Sequence, residues 1–182
     1  SLRDSSGFSM IGQVSSFANL RLLTPSYAGE RVLLASWNED VTPYGQSSFG
    51  GGQFIAVSGS STDDGGFIAK VSDTWYWQRL KSVTEATILD FGALPDGTTL
   101  CDTALANMFV WAYGSTAQSN VDTLETTVKN NQGIVHFGPG QFAIGNVDLT
   151  TYGRKQGVKF YGDLTADYKN IKTTIYLSLI HI

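Results

Sequence analysis

Six aspartates pose the first chemical question. Cleavage of a glycosidic bond uses two carboxyl groups a few ångströms apart, one acting as acid and the other as base or nucleophile. Asp90, Asp96, Asp102, Asp148, Asp163 and Asp167 are the carboxylates such a site would draw on. Their spacing brings no pair together. Asp96 lies in a Pro95-Asp96-Gly97 turn, and Asp102 precedes a helical run that it can cap. Asp163 and Asp167 follow a strand end and read as solvated, so no catalytic residue is expected among the six. His136 sits mid-strand beside Phe137, and the other histidine is His181. Without a partnering Ser, Cys or second histidine, neither a nucleophilic triad nor a zinc site is expected, and no metal or other cofactor. Gly50-Gly51-Gly52 lacks the following Lys-Ser/Thr of a phosphate loop, which leaves close backbone packing as its account.

Aromatic residues supply the live binding signal. Trp37 and Tyr44 flank a loop carrying Asn38, Glu39 and Asp40, the mixture of flat rings and polar groups that suits a sugar face and its hydroxyls. Against that stands the reading of Trp37, Trp75, Trp77 and Trp111 as core residues of a small module short of apolar volume. The core reading is preferred, with Trp37 and Tyr44 kept as candidate glycan contacts.

The elements that would position any site centre on 87–142. Thr87, Ile88, Leu89 and Phe91 read as a strand stopped by Pro95-Asp96-Gly97. Asp102 then starts a helix that puts Leu105, Met108, Phe109 and Ala112 on one face, with Gly114 placed to end it. Ile134-Val135-His136-Phe137 is an apolar strand, bent at Gly138-Pro139-Gly140 and resumed at Phe142-Ala143-Ile144. Gly97 and Gly140 are expected where φ is positive or a Cβ is crowded out.

This pattern resembles the start of the pectate-lyase-like right-handed β-helix. The resemblance rests on Asp90, Phe91, Gly92, Ala93, Asp96, Gly97, Asp102, Thr103, Ala104, Phe137, Pro139, Gly140 and Phe142. Two positions depart from it: Cys101 stands where a second acidic residue is usual, and Gly138 where proline often occurs. The family spans pectin-acting enzymes, bacterial polysaccharide lyases and bacteriophage tailspikes, so it specifies a fold better than a substrate.

Upstream, Ser15 or Ser16 can cap a short helix presenting Phe17, Leu20 and Leu23, with Pro25 just past its end. Strands follow at 31–37, 49–57, 67–71 and 75–80, separated by turn-rich stretches. The Ser-Phe-x-x-Leu-Arg-x-Leu helix, the strand after Gly29-Glu30, the Gly50-Gly51-Gly52-x-Phe54 strand, the Asp63-Asp64-Gly65-Gly66 turn and the Trp77-x-Arg79 close resemble a small module found ahead of the β-helix in many tailspikes. The expected order is a tail at 1–10, the β module at 11–80, a linker at 81–86 and the start of the β-helix at 87–176. The fold class is thus mainly β: a small module, a short capping helix and the first rungs of an incomplete right-handed parallel β-helix. There is room for about two rungs after Gly133, with strands at 158–162 and 171–175 and a second helix at 119–131.

Leu177-Ser178-Leu179-Ile180-His181-Ile182 matches, letter for letter, the translation of a transposase adapter used in sequencing-library preparation. Residues 177–182 are therefore expected to be an adapter-derived artefact, and the chain a fragment. It begins at Ser1 rather than methionine, so the true N-terminus is expected elsewhere, and no signal peptide is visible.

Bulk properties fit this picture. The 182 residues include 20 glycines and 12% aromatics, a composition that leans towards β structure with many turns. A net charge of −4 and the absence of a Lys/Arg cluster argue against a nucleic-acid surface. The single cysteine, Cys101, forms no internal disulfide and reads as a small apolar filler. No stretch is long and apolar enough to span a bilayer, so membrane insertion is not expected. What the resemblance implies is a phage tailspike that binds, and depolymerises, a bacterial surface polysaccharide: capsule, O-antigen or exopolysaccharide. It further implies a homotrimer on the virion tail, in contact with other tail proteins and acting at the bacterial surface. A bacterial pectate-lyase-like enzyme and a non-catalytic adhesive spike are the alternatives.

Overall fold

The computed structural model describes residues 12–39, 48–113, 134–148, 159–161 and 173–181. The chain divides into two compact units, Ser1–Asp63 with Ile68–Leu80, and Asp64–Phe67 with Lys81–Ile182. Four residues inside the stretch expected as the first module therefore belong to the second unit. So do Lys81–Ala86, where a linker was expected: Ala86 is buried and Val83–Glu85 forms a 3-10 turn.

The first unit is a mixed five-stranded sheet. Its strands are β1 (Gly12–Val14), β2 (Arg31–Leu34), β3 (Gly52–Ser58), β4 (Ile68–Lys70) and β5 (Trp75–Arg79), in the order β1-β2-β3-β5-β4. β1 pairs parallel with β2; the other four strands form an antiparallel sheet. Alternation sets the faces: Val32 and Leu34 point inward from β2, while Arg31 and Leu33 point out. Helix α1 (Phe17–Leu22) covers the inner face. Its start is fixed by Ser16, whose extended backbone leaves the helix free to begin and whose Oγ accepts the Asn19 amide at 3.2 Å. Phe17 and Leu20 are fully buried with Val32, Leu34, Phe54, Ala56, Ala69 and Trp77. Each large side chain buried here contributes about 1.5–3 kcal/mol. Leu23, expected on the same helix face, lies past the helix end and is partly exposed. Its carbonyl instead accepts Nε1 of Trp77 at 2.8 Å.

The glycine run at 50–52 has two structural reasons. A Cβ on Gly51 would stand 2.7 Å from the Ala35 carbonyl oxygen. The carbonyls of Gly50 and Gly51 accept hydrogen bonds from Arg79 at 2.9 and 2.7 Å. Arg79 is 3% exposed, and its guanidinium lies 4.6 Å from the centre of the Phe54 ring. These contacts let a charged side chain occupy the core side of the sheet.

In the second unit, 87–91 departs from expectation. Ile88–Phe91 is a 3-10 turn rather than a strand. Thr87 and Asp90 form a capping box, and Asp90 Oδ2 accepts the Thr87 amide at 2.9 Å. That local pairing overrides the β preference of Ile88 and Phe91. Gly92 ends the turn at φ +98°. Strand β6 (Asp96–Leu100) begins where a turn alone was expected, and its register against the neighbouring strand shifts between Asp96 and Leu100. Gly97 sits there at φ +73°.

Helix α2 (Asp102–Tyr113) follows. Leu105, Met108, Phe109 and Ala112 are fully buried, and Ala104 and Trp111 nearly so, which makes its buried face wider than a single stripe. The Cys101 carbonyl accepts the first helical amide, from Leu105, so Cys101 stands at the cap and Asp102 is the first helical residue, one position on from the cap expected of it. Strands β7 (Ile134–His136), β8 (Gly140–Asp148), β9 (Lys159–Tyr161) and β10 (Thr173–His181) complete the unit. β6, β8 and β10 stack in parallel in one sheet, and β7 pairs parallel with β9 in another. β10 keeps register with β8 through His181 opposite Asp148. Residues 177–181 of the terminal hexapeptide are thus part of β10. Gly114, which was expected to end α2, and the second helix expected at 119–131 lie outside the described residues.

Candidate functional site

All six candidate carboxylates fall in the second unit, and the three whose side chains are described, Asp90, Asp96 and Asp102, are each engaged by backbone. Asp90 is 3% exposed. Besides the Thr87 amide, its carboxylate takes the Lys81 ammonium at 2.6 Å, so the buried charge is paired and hydrogen-bonded. Asp96 is exposed. Its Oδ1 accepts the amides of Thr98 and Thr99 at 2.8 and 2.7 Å, and its Oδ2 accepts the Thr99 hydroxyl at 2.6 Å. Partial desolvation pushes this carboxyl up, but the hydrogen bonds from Thr99 and Thr98 together outweigh it and bring the pKa down to about 2. That direction is the opposite of what a general acid needs. Asp102 accepts the Gly145 amide at 2.7 Å and so ties the start of α2 to β8. A Cβ on Gly145 would stand 2.8 Å from Asp102 Oδ2, which is why that strand position is glycine.

The motif around Gly140 is likewise steric. Gly138 and Gly140 have φ of +75° and +133°, and a Cβ on Gly140 would overlap Cβ of Pro95. Phe137 and Phe142, on either side of the bend, meet edge to face at 5.5 Å. Phe91 and Ala93 are buried in the same core. Cys101 is buried there too, and burial raises its thiol pKa, which suits a packing role and not a nucleophile. No group of three or more His, Cys, Asp and Glu side chains able to hold a metal occurs among the described residues.

Trp37 stacks on Phe17, ring centroids 5.6 Å apart and planes 11° from parallel, and is half-buried against the first core. Trp77 is fully buried, Trp75 packs against the same cluster, and Trp111 lies in the second core, 4.7 Å from Phe67. Tyr44, Asp40, Asp163 and Asp167 lie outside the described residues. Asp148 is described as part of the β8 backbone. The residues that sequence reading passed over are Lys81, which neutralises Asp90, and Phe67, which enters the second core. A lysine nine residues before an aspartate carries no pattern that would announce either pairing.

Comparison with known proteins shows what the chain is similar to. Residues 13–82 match the family described as the phage tail protein small four-stranded β-sheet domain, and the antiparallel strands β2, β3, β5 and β4 lie within that span. The chain as a whole is similar to tailspike-like parallel β-helix proteins. The amylovoran biosynthesis protein AmsF of Erwinia amylovora is 32% identical over 146 residues, 79% of this chain. A capsule KN4-specific depolymerase of Klebsiella phage KN4-1 is 39% identical over 93 residues, 50% of this chain. This chain spans 17% and 10% of the lengths of those two relatives. Among solved structures, Pantoea stewartii WceF superposes with a TM-score of 0.70 and 25% identity, over 93% of this chain and 22% of its own. It is described as a glycan biofilm modifying enzyme with a bacteriophage tailspike-like parallel β-helix fold. Tailspike protein 2 of an Escherichia coli O157:H7 bacteriophage superposes at 0.56 with 20% identity, over 82% of this chain and 16% of its own, a likeness of fold.

Proposed function

We propose that this chain is a fragment of a longer tailspike-type protein that recognises and depolymerises a bacterial surface polysaccharide, either a capsule, an O-antigen or an exopolysaccharide. The observation that carries the reading is the 39% identity over 93 residues to a capsule-specific phage depolymerase. Residues up to Leu80 form the connecting β module, and the parallel stacking of β6, β8 and β10 supports the start of a right-handed β-helix, with α2 covering its first rung. Covering matters, because an open first rung exposes unpaired backbone groups. In this reading the protein works on the virion tail as a homotrimer alongside other tail proteins, and its catalytic carboxylates lie outside the described residues. Trp37 and Tyr44 are the residues that would touch glycan if the module itself takes part in binding, although the stack on Phe17 favours a core role for Trp37.

A second reading has its own support. Similarity to the Erwinia protein extends over 79% of the chain, and the fold match to the Pantoea enzyme over 93%. Both favour a bacterial enzyme acting on exopolysaccharide, with the same architecture and no virion. The test is to express the full-length parent and, separately, residues 1–182, and incubate each with capsular, O-antigen and exopolysaccharide panels. Reducing ends report hydrolysis, and unsaturated-uronate absorbance reports elimination. The parent is expected to shorten one glycan and residues 1–182 none. A parent that leaves every glycan intact, yet binds none of them, would refute both readings. Cleavage confined to capsules or O-antigens favours the phage reading, and cleavage confined to the producer's own exopolysaccharide favours the bacterial one.

A further inference from the structure

We propose that Asp63–Phe67 is a strap through which the second unit's core depends on the first unit being folded. Asp63 belongs to the first unit and is held there firmly. Its carboxylate takes Nε and Nη2 of Arg21 in a two-point ion pair, at 2.8 and 2.5 Å, and the Lys70 amide at 2.9 Å. The next four residues are components of the second unit. Asp64 Oδ1 accepts the amides of Gly66 at 2.9 Å and Phe67 at 2.7 Å, which folds the chain into a tight turn. Gly65 has φ +76°, and a Cβ there would stand 2.5 Å from Asn107 Nδ2 of α2. A Cβ on Gly66 would stand 2.5 Å from the Phe91 ring. Phe67 is 6% exposed, stacked on Trp111 at 4.7 Å and 6.1 Å from Phe91.

Two features separate this from a solvent loop. Asp-Asp-Gly-Gly is by composition a flexible turn, yet both glycines sit where a side chain would collide, so close approach accounts for Gly66, and close approach together with a positive φ for Gly65. Phe67 also completes an aromatic trio with Phe91 and Trp111, so that trio is complete only when the strap is delivered. The first unit fixes the strap's root at Asp63 and takes the chain back at Ile68. Loosening that root lets the strap sample many conformations, and the second unit then bears the ordering entropy of docking it.

The test is hydrogen exchange read by mass spectrometry on the full chain. Peptides spanning β3 report the first unit, and peptides spanning α2 and 134–144 report the second. Phe67→Ala is expected to speed exchange in α2 at least tenfold while leaving β3 unchanged. Asp63→Asn removes the ion pair in the first unit and is expected to speed exchange in α2 as well. Leu20→Ala, which loosens the first core away from the strap, is expected to do the same. Should both first-unit variants speed exchange in β3 and leave α2 at its wild-type rate, the coupling is refuted. Unchanged α2 exchange in Phe67→Ala would refute the strap itself. If Leu20→Ala does not fold, Asp63→Asn decides the question.

Discussion

Replacing Arg79 with methionine keeps the aliphatic stem and removes the guanidinium, a change that tests whether a buried charge here serves the fold or burdens it. Two effects oppose each other. Releasing a desolvated cation is favourable, and apolar replacements of buried ion pairs are often neutral or stabilising. In this site, however, the guanidinium has two backbone acceptors, the Gly50 and Gly51 carbonyls, which remain when it leaves. An unsatisfied buried acceptor costs about 1–3 kcal/mol, and loss of the cation over the Phe54 ring adds about 1 kcal/mol. Allowing for the desolvation returned, we expect a net loss of about 3 kcal/mol in the first unit. Arg79→Lys keeps the charge but cannot span both carbonyls, so it should lie between wild type and methionine. Urea unfolding followed by tryptophan fluorescence reads this directly, since Trp77 is fully buried in the same core. A methionine variant within about 0.5 kcal/mol of wild type would show that the carbonyls find other partners. A lysine variant equal to wild type would show that the charge, not the fork, is what counts.

Three further outcomes follow from the geometry. Because the folded pKa of Asp96 is lowered to about 2, its contribution is complete above the unfolded value and is lost as pH falls from about 4 to about 2; screening at this exposed site reduces it to about 1 kcal/mol. Asp96→Ala should therefore be less stable than wild type near neutrality and equal to it below that window, and a gap that does not change with pH would contradict the assignment. Gly140→Ala places a methyl against Pro95 at φ +133° and should destabilise the second unit by about 2–4 kcal/mol in urea melts, whereas a cost under about 0.5 kcal/mol would mean that the bend relaxes freely. Trp37→Ala should cost about 2 kcal/mol through the lost stack on Phe17 and leave glycan retention in affinity electrophoresis unchanged. Lost retention with unchanged stability would instead make Trp37 a glycan contact.

Much of the fold was legible because its determinants are local. The Ser16 cap followed by Phe17 and Leu20 announces α1, and the β-favouring runs at 31–37 and 75–80 announce strands that the structure shows at Arg31–Leu34 and Trp75–Arg79. Positive φ at Gly97 and Gly140 follows from turn chemistry that any reader can apply. Residues 87–91 misled for an equally physical reason. Ile88, Leu89 and Phe91 favour a strand one by one, but Thr87 and Asp90, three apart, satisfy each other's backbone amides and close a turn first. Phe67 and Lys81 were illegible because their partners, Trp111 and Asp90, are chosen by tertiary structure alone.

The same logic bears on the carboxylates. A glycosidase needs two acids whose environments drive their protonation apart, one raised to hold a proton and one kept ionised. Asp90, Asp96 and Asp102 have instead been recruited as acceptors for backbone amides at points where the chain changes direction: the 3-10 turn, the β6 bulge and the junction of α2 with β8. Such recruitment holds each carboxylate in the service of the backbone, so a residue that locks a bend is poorly placed to serve a substrate. Asp90, Asp96 and Asp102 therefore report where the backbone turns. Catalytic ones should be sought where a carboxylate faces out from a flat parallel ladder with no amide to accept.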